Sequence, residues 1–329
     1  MAGYKNILQI FMLQLIMVTI FSSQTQGQGL KVGFYTKSCP DAEKIVSKVI
    51  SNVMAVAPSL SGALLRLHFH DCFIRGCDGS ILLDSPNNQS EKFSIPNLSL
   101  RGYSVIDRVK LALENSCPGV VSCADIVALV ARDVTVATMG PHWKVETGRR
   151  DGNVSLIAEP LDSVAGLPAF FDNITTLKQS FALRGLSVKD LVVLSGGHTL
   201  GVSHCSSFES RLYNFTGNGD TDPSMDPNYI IRLKRKCTPG DQTTLAELDP
   251  GSFKTFDDSY YRLVTKRRGL LTSDAALLDD PETKAYLVRA TSRRSTFFKD
   301  FSESMVKMGR IGVITGSQGE VRKVCSRIN

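Results

Sequence analysis

The sequence predicts an all-α fold. Two observations carry that expectation. Apolar residues recur at helical spacing along most of the chain, and runs of strict apolar–polar alternation are scarce. Val313-Ile314-Thr315, the clearest β-branched run near the C-terminus, is too short to build much of a sheet.

Taken in order, residues 1–27 stand outside the fold. Lys5 is a positive n-region, Ile7 to Phe21 is a mostly apolar stretch carrying Gln9 and Gln14, and Ser22 to Gly27 is polar and small. This segment is too short and too polar-flanked for a membrane span and reads as a secretory signal. Cleavage is expected after Gly27, with Thr25 at the minus-three position, which leaves 28–329 as the folded domain. Asp41 to Val56 then places Ala42, Ile45, Val46, Val49, Ile50, Val53 and Met54 on one stripe, with Pro40 near the start. Leu60 to Phe73 is predicted as a second helix, followed by Ser104 to Asn115 and by Cys123 to Met139, which stops at Gly140-Pro141. Phe171 to Leu183 runs up to Gly185, and Ser187 caps a helix through Asp190 to Leu194. Later helices are expected near 203–212, 226–236, 257–266, 282–291 and 296–309. Gly217 to Pro227, rich in Gly, Asp and Pro, reads as a surface loop. No repeat or linker divides the chain, so about ten helices form one folding unit or two interlocked lobes.

The formal net charge is +6, one unit of it from Lys5 in the leader. That is a slight preference for polyanionic surroundings such as a cell wall. The basic residues are dispersed, and Lys234-Arg235-Lys236 and Lys266-Arg267-Arg268 are read as solvated faces, so no nucleic-acid partner is expected. Beyond the leader no window approaches about 18 apolar residues, so no membrane association is expected.

All eight cysteines, at 39, 72, 77, 117, 123, 205, 237 and 325, follow the leader. An even count in a secreted chain argues for four disulfides, with the pairing left open by spacing alone. Sequons at Asn88, Asn97, Asn153, Asn173 and Asn214 fit the same compartment.

The residue types that carry chemistry sit in two short stretches, Arg66 to Gly76 and Ser195 to Gly201. Arg66 and His70 are four apart and project from one helical face, where a cation and an imidazole can act on one substrate atom. His198 lies among Gly196, Gly197 and Gly201, which admit a close backbone or flat ligand, although a buried histidine at a helix bend would look the same. His68 and His70 diverge by about 200° on a helix and cannot share a metal there. After Phe73, Asp71, Gly76, Asp78, Ser80 and Glu91 gather hard oxygen donors of the kind calcium takes, or else form an ordinary polar turn. Cys72 and Cys77 bracket that loop and are close enough in sequence to staple it.

These stretches, in order, resemble the secretory plant (class III) haem peroxidases. The resemblance runs from Phe34-Tyr35 to Cys325 and includes Ser38-Cys39-Pro40, Arg66 to Leu83, Val121 to Asp125, Gly148 to Asp151, Ser195 to Gly201, Phe256-Asp257, Tyr260-Tyr261, Gly269 to Leu271 and Ser273-Asp274. It implies a two-lobed all-α fold with one haem b between a distal and a proximal helical lobe. The implied disulfides are Cys39–Cys117, Cys72–Cys77, Cys123–Cys325 and Cys205–Cys237. His198 becomes the iron ligand with Asp274 behind it, and His70 and Arg66 the distal catalysts, with Phe69 walling the pocket and Asn97 orienting His70. Two calcium ions are implied, one on Asp71, Ile74, Gly76, Asp78 and Ser80, the other on Thr199, Asp249, Ser252, Thr255 and Asp257. Pro168 resembles the family's substrate-contacting proline.

The implied activity is reduction of hydrogen peroxide with one-electron oxidation of small phenolic donors, by a monomer. Lignin or suberin formation, cell-wall cross-linking, auxin catabolism and the oxidative stress response are the implied settings. Ser326 to Asn329 after Cys325 make no obvious sorting extension, so the apoplast or cell wall is the expected location. The chain departs from the family pattern at Asp258, Glu146-Thr147 and Gly79, and Pro168 is followed by Ala169-Phe170-Phe171 without a second proline. Two rivals remain: a zinc hydrolase using His68, His70 and His198, and a catalytically silent calcium-dependent wall protein on the same scaffold.

Overall fold

The computed structural model describes residues 29–162, 165–291 and 294–329. The secretory leader expected at 1–27 lies outside the described residues. Four helices, α1 (Ala42–Val56), α2 (Ser61–Ile74), α3 (Tyr103–Ser116) and α4 (Cys123–Ala137), pack on one another in the first half of the chain. The central one is α4, in which every residue from Cys123 to Thr135 is buried. Ser122 caps it by accepting from Asp125 N. Asp151 accepts from the free first-turn N–H groups of Cys123 and Ala124 at 3.1 and 2.8 Å. Asp125 accepts from Tyr35 Oη, Gly148 N and Arg149 Nη1 at 2.7, 2.7 and 2.8 Å. The stretches Val121 to Asp125 and Gly148 to Asp151 are therefore scaffold, holding the strut on which α2 leans.

The second half contributes α5 (Ile174–Leu183), α6 (Val188–Ser195), α7 (Glu209–Tyr213), α8 (Pro227–Lys234), α9 (Ser259–Thr265), α10 (Thr272–Ala276), α11 (Pro281–Ala290) and α12 (Arg294–Met308). Here α6 packs against α5, α11 and α12, while α9 packs against α11. The two groups share a continuous apolar core, and a smaller one of Phe208, Leu212, Met225, Tyr229 and Leu233 surrounds the Cys205–Cys237 bridge. Strands are few, as expected. β1 (Lys31–Val32) pairs antiparallel with β2 (Glu146–Thr147), and β3 (Val202–His204) with β4 (Leu245–Glu247), Val202 facing Glu247. Among the described residues no single helix is long and apolar enough to cross a membrane.

Several boundaries move for local reasons. The helix expected from Phe171 starts at Ile174, because Asp172 accepts from Ala169 N in a turn and Asn173 caps Thr176 N at 3.0 Å. The helix expected over 203–212 is β3, a 3₁₀ turn at Cys205–Ser207 and then α7, since Gly201 at φ 96° breaks the helical path and Val202 pairs with β4. α4 ends at Ala137. A Cβ on Gly140 would lie 2.5 Å from Thr135 Cγ2 and 2.8 Å from the Phe256 ring, so the stop needs glycine.

The four disulfides are those the family pattern implied. Cys123–Cys325 spans 202 residues and closes the C-terminal segment onto the start of α4. Fully buried Arg322 reinforces that closure by donating to Cys325 O and Gly79 O at 2.5 and 2.8 Å and to Asp78 O at 3.2 Å. The halves meet closely at one end of α2, where a Cβ on Gly62 would lie 2.9 Å from Gly201 Cα. Three residues on, Leu65 faces Gly197, whose added Cβ would sit 3.5 Å from Leu65 Cδ2. The helix carrying His70 and the turn carrying His198 thus pack directly against each other.

Candidate active site

Arg66, Phe69 and His70 all stand on α2. His70 is buried, and its Nδ1 lies 2.6 Å from Asn97 Oδ1. Asn97 closes the 3₁₀ turn Ile95–Asn97 and donates from Nδ2 to Glu91 O at 2.7 Å. That bond fixes the amide with its oxygen towards the imidazole, so Nδ1 donates and Nε2 is left as the acceptor. Burial, with the Arg66 charge beside it, holds His70 well below the usual histidine range, and the Asn97 bond only partly opposes this. The ring is neutral at physiological pH. Arg66 donates to Ser99 Oγ and Pro96 O, both at 2.9 Å. Burial lowers its pKa to about 10, which keeps it cationic. Phe69 stands edge-on to His70 at 5.4 Å and packs on Phe73 at 4.4 Å.

His68 turns elsewhere. Its Nδ1 lies 3.5 Å from Cys72 Sγ, and burial pushes its pKa down to about 3. His68, Cys72 and Cys77 form a tight group, but both sulfurs belong to one disulfide and are not thiolates. His68 and His70 have different partners, and the geometry gives no shared zinc site.

In the second half His198 lies in a 3₁₀ turn, Gly196–Thr199, that continues α6. The α6 start is a capping box, Ser187 with Asp190. The His198 side chain is 38% exposed, and its Nδ1 lies 2.8 Å from Asp274 Oδ1. Nε2 makes no hydrogen bond among the described residues, so the ring presents a lone pair to the space before it. Asp274 sits in α10 and is buried. Burial works to raise its pKa, but His198, Tyr260 Oη at 2.8 Å and Leu271 N at 3.2 Å prevail and hold it below the ordinary value. The Tyr260 contact escaped sequence reasoning, because a hydroxyl in a Tyr-Tyr pair signals nothing until the fold aims it.

Two oxygen-rich loops adjoin these faces. Asp71, Asp78, Ser80 and Glu91 are all buried. Asp71 Oδ2 accepts from Gly79 N, and Asp78 Oδ1 from Ser80 N. Among the described residues Asp71 Oδ1, Ser80 Oγ and both Glu91 carboxylate oxygens have no hydrogen-bond partner. Burial and then Asp78's charge raise Asp71 well above the carboxylate range, and the same two causes lift Glu91 to about 8. Orphaned buried oxygens of this kind are costly without a cation, and a hard divalent ion is what they fit. Ile74 ends α2, and Gly76, at φ 105°, turns the chain, its carbonyl accepting from Asp78 N at 2.8 Å. In the second loop Thr199 Oγ1 lies 3.0 Å from Asp249 Oδ2, 3.4 Å from Asp257 Oδ1 and 3.5 Å from Thr255 O, while Ser252 N donates to Asp249 O at 3.1 Å. Burial chiefly, and Asp257 after it, lift Asp249 to about 6.

Pro168 is half-buried on a loop clamped to both halves of the site. Arg184 donates to Ala165 O and Gly166 O at 2.6 and 2.7 Å and to Phe73 O at the end of α2. Ser273 N, next to Asp274, donates to Phe170 O at 3.0 Å. Phe170 and Phe171 are exposed and edge-to-face at 5.1 Å. The remaining departures have local accounts. Asp258 pairs with Arg262 at 2.7 Å, one turn on, and Glu146 makes a two-bond fork with Arg310 at 2.7 and 2.6 Å. Gly79 stands at φ 70°, a conformation that suits glycine.

The profile of the peroxidase family matches residues 46–293. Similar curated proteins include Peroxidase 27 of Arabidopsis thaliana, 59% identical over 96% of this chain and 97% of that protein. Peroxidase 56 of Arabidopsis thaliana is 56% identical over the whole of both chains. Peroxidase 1 of Oryza sativa subsp. japonica is 52% identical over 97% of this chain and 98% of its own length. With the helical halves, the four bridges and the two hydrogen-bonded histidines already in place, such agreement along the whole length leads to one family: the chain is a plant class III peroxidase, an oxidoreductase that consumes hydrogen peroxide.

Proposed function

We propose that the chain holds one haem b between His70 and His198 and two calcium ions, and uses hydrogen peroxide to oxidise phenolic donors one electron at a time in the apoplast or cell wall. The observation that carries this reading is that the helix with His70 and the turn with His198 pack together, each imidazole held by its own side-chain partner. His70 is kept neutral, while His198 is backed by a carboxylate at 2.8 Å with its other nitrogen open. Haem supplies the iron through which the electrons of peroxide reduction pass. His70 Nε2 takes the proton from one peroxide oxygen and returns it to the other, which leaves as water. Arg66, cationic and tethered to Pro96 and Ser99, stabilises the negative charge that grows on the departing oxygen. Phe69 fills the wall beside His70 and excludes water. Asp274 takes the Nδ1 proton of His198 into a hydrogen bond, fixes the ring's orientation and strengthens Nε2 as an iron ligand. The balance is one hydrogen peroxide and two phenols giving two waters and two phenoxyl radicals.

Asp71, Asp78 and Ser80, with the carbonyls of Ile74 and Gly76, are the proposed holders of the distal calcium. Thr199, Asp249, Ser252, Thr255 and Asp257 are the proposed proximal set. Thr199 adjoins His198, so loss of that ion loosens the imidazole. Pro168 and its loop are the proposed donor contact. Wall chemistry such as lignin or suberin formation and phenolic cross-linking suits such a product, as do auxin catabolism and the oxidative stress response.

The deciding experiment is the visible absorption spectrum of purified, calcium-replete protein with added hemin, then with peroxide, then with a panel of phenols. His198→Ala is expected to lose haem retention or change the spectrum; an unaltered spectrum would remove His198 as the ligand. Asn97 gives a second check. It is buried and bonded on both sides, whereas Asn88, Asn153, Asn173 and Asn214 are exposed. Peptide mapping of the secreted protein is expected to find Asn97 bare, and a glycan there contradicts the assignment.

A further inference from the structure

Behind Asp274, three tyrosines lead away from the site. Tyr260, which donates to Asp274, has its ring edge-on to His198 at 5.9 Å. Tyr261 follows at 5.3 Å, and Tyr286 of α11 lies 6.3 Å beyond it. All are buried. Tyr286 Oη donates to Asp300 Oδ2 at 2.7 Å, and Asp300 Oδ1 accepts from Lys189 Nζ at 2.6 Å. Lys189 is 42% exposed, so this end of the line reaches solvent. The Arg289 guanidinium covers the Tyr286 ring at 4.9 Å.

Packing alone does not require three phenols. The neighbouring Phe256, Phe297 and Phe301 fill the same core without a hydroxyl to satisfy. What sets the tyrosines apart is where their protons point. A phenol gives up an electron readily only if its proton leaves as well, because the phenol radical cation is a strong acid. Tyr260 and Tyr286 each face a carboxylate able to take that proton. Tyr261 donates to the carbonyl of Val192 at 3.1 Å, which cannot accept one. Tyr261 therefore passes an electron without holding the vacancy. Burial, then the bond to Asp300 and its charge, keep Tyr286 protonated at rest.

We infer that Tyr286 is a second oxidisable site, joined to the haem pocket through Tyr261 and Tyr260. This rests on the reading of His198 as the iron ligand. Tyr286 loses one electron along the line, and its Oη–H bond breaks with the proton passing to Asp300, giving a neutral tyrosyl radical. That electron is one of the two that hydrogen peroxide requires to become two waters; a donor at the Pro168 loop supplies the other. A phenol restores Tyr286 by giving one electron and becoming a phenoxyl radical; Asp300 returns its proton to Tyr286 Oη, and the phenol's proton goes to solvent, which supplies the proton taken up by the water formed. The line drains oxidising equivalents when no donor occupies the Pro168 loop.

The test uses full-length, hemin-loaded protein mixed with hydrogen peroxide without donor, frozen rapidly and examined by electron paramagnetic resonance. A parallel sample takes a nitroso spin trap and is mapped by mass spectrometry. Wild type is expected to give a tyrosyl signal and an adduct on Tyr286. Tyr286→Phe is expected to lose both while keeping the absorption spectrum and the rate of the first peroxide reaction. Tyr261→Phe, with Tyr286 intact, is expected to slow appearance of the signal. Absence of a tyrosyl signal from wild type that binds hemin and oxidises phenols overturns the relay alone, as does an unchanged signal and adduct in Tyr286→Phe. Failure of wild type to bind hemin overturns both the relay and the active-site reading.

Discussion

Replacing His70 by alanine is expected to leave haem uptake intact and to slow the reaction with hydrogen peroxide by about two to four orders of magnitude, the usual worth of a positioned acid–base group. The size follows from the absence of a substitute. His68, two residues away, is turned towards Cys72, and Arg66 is a cation that cannot accept a proton. The reaction is followed by stopped-flow absorbance under excess peroxide. An unchanged rate in His70→Ala removes the residue from its assigned role. The pH profile adds a signed test. His70 must be neutral to act, and burial together with Arg66 keeps its pKa far below the usual value. The wild-type rate is therefore flat through neutral pH and falls only in acid. Arg66→Leu removes the charge that depresses His70, so the acid limb is expected to move to higher pH as well as the plateau to drop.

Stripping divalent cations is the second large effect. It leaves buried Asp71, Asp78 and Glu91 within reach of one another's charge, with Asp71 Oδ1 and both Glu91 carboxylate oxygens lacking a partner among the described residues. An ion present at 1,000 times its dissociation constant contributes about 4 kcal/mol to the folded state. For a folded domain of about 300 residues that is roughly 6 °C in the melting temperature for each ion lost. The sign of the pH dependence follows from the raised carboxyl groups. In the ion-free protein Glu91 titrates at about 8 and Asp249 at about 6, above their ordinary values. Their protonated forms stabilise that fold in acid, and this contribution is lost as pH rises through 6 and then 8. Calcium requires the ionised carboxylates. Chelation is therefore expected to lower the melting temperature more at about pH 8 than at about pH 5. Scanning calorimetry with and without chelator checks this; equal melting temperatures at both pH values would show that neither loop holds an ion.

The parts of the molecule that were legible in sequence are those where one residue type has one strong local use. Ser187 before α6 and Gly140 after α4 fix helix ends through a side chain and a steric limit within four residues, and the structure keeps them. Arg66 and His70 were readable because helical geometry alone puts them on one face. Asp274 was reachable only through family likeness, since α10 is five residues long and too short to show a period. The same holds for the disulfide pairings, which depend on distances between distant segments. β3 and α7 were misread as one helix because a three-residue strand is decided by its partner, here β4, and not by its own composition. Glu91 was noted as an oxygen donor. Its second use, a backbone carbonyl that orients Asn97, has no sequence signature, since every residue carries that carbonyl.

Arg322 bears on the order in which the protein comes into being. The carbonyls of Asp78 and Gly79 that it steadies lie 244 and 243 positions earlier, and its own backbone N–H is held by Asp151. A ribosome making this chain releases α2, α4 and most of the later helices before the residue that braces the first oxygen-rich loop has been joined to the peptide. Capture of the proposed distal ion is thus expected to be a post-translational step, completed only after the last stretch folds back and oxidation links Cys123 to Cys325.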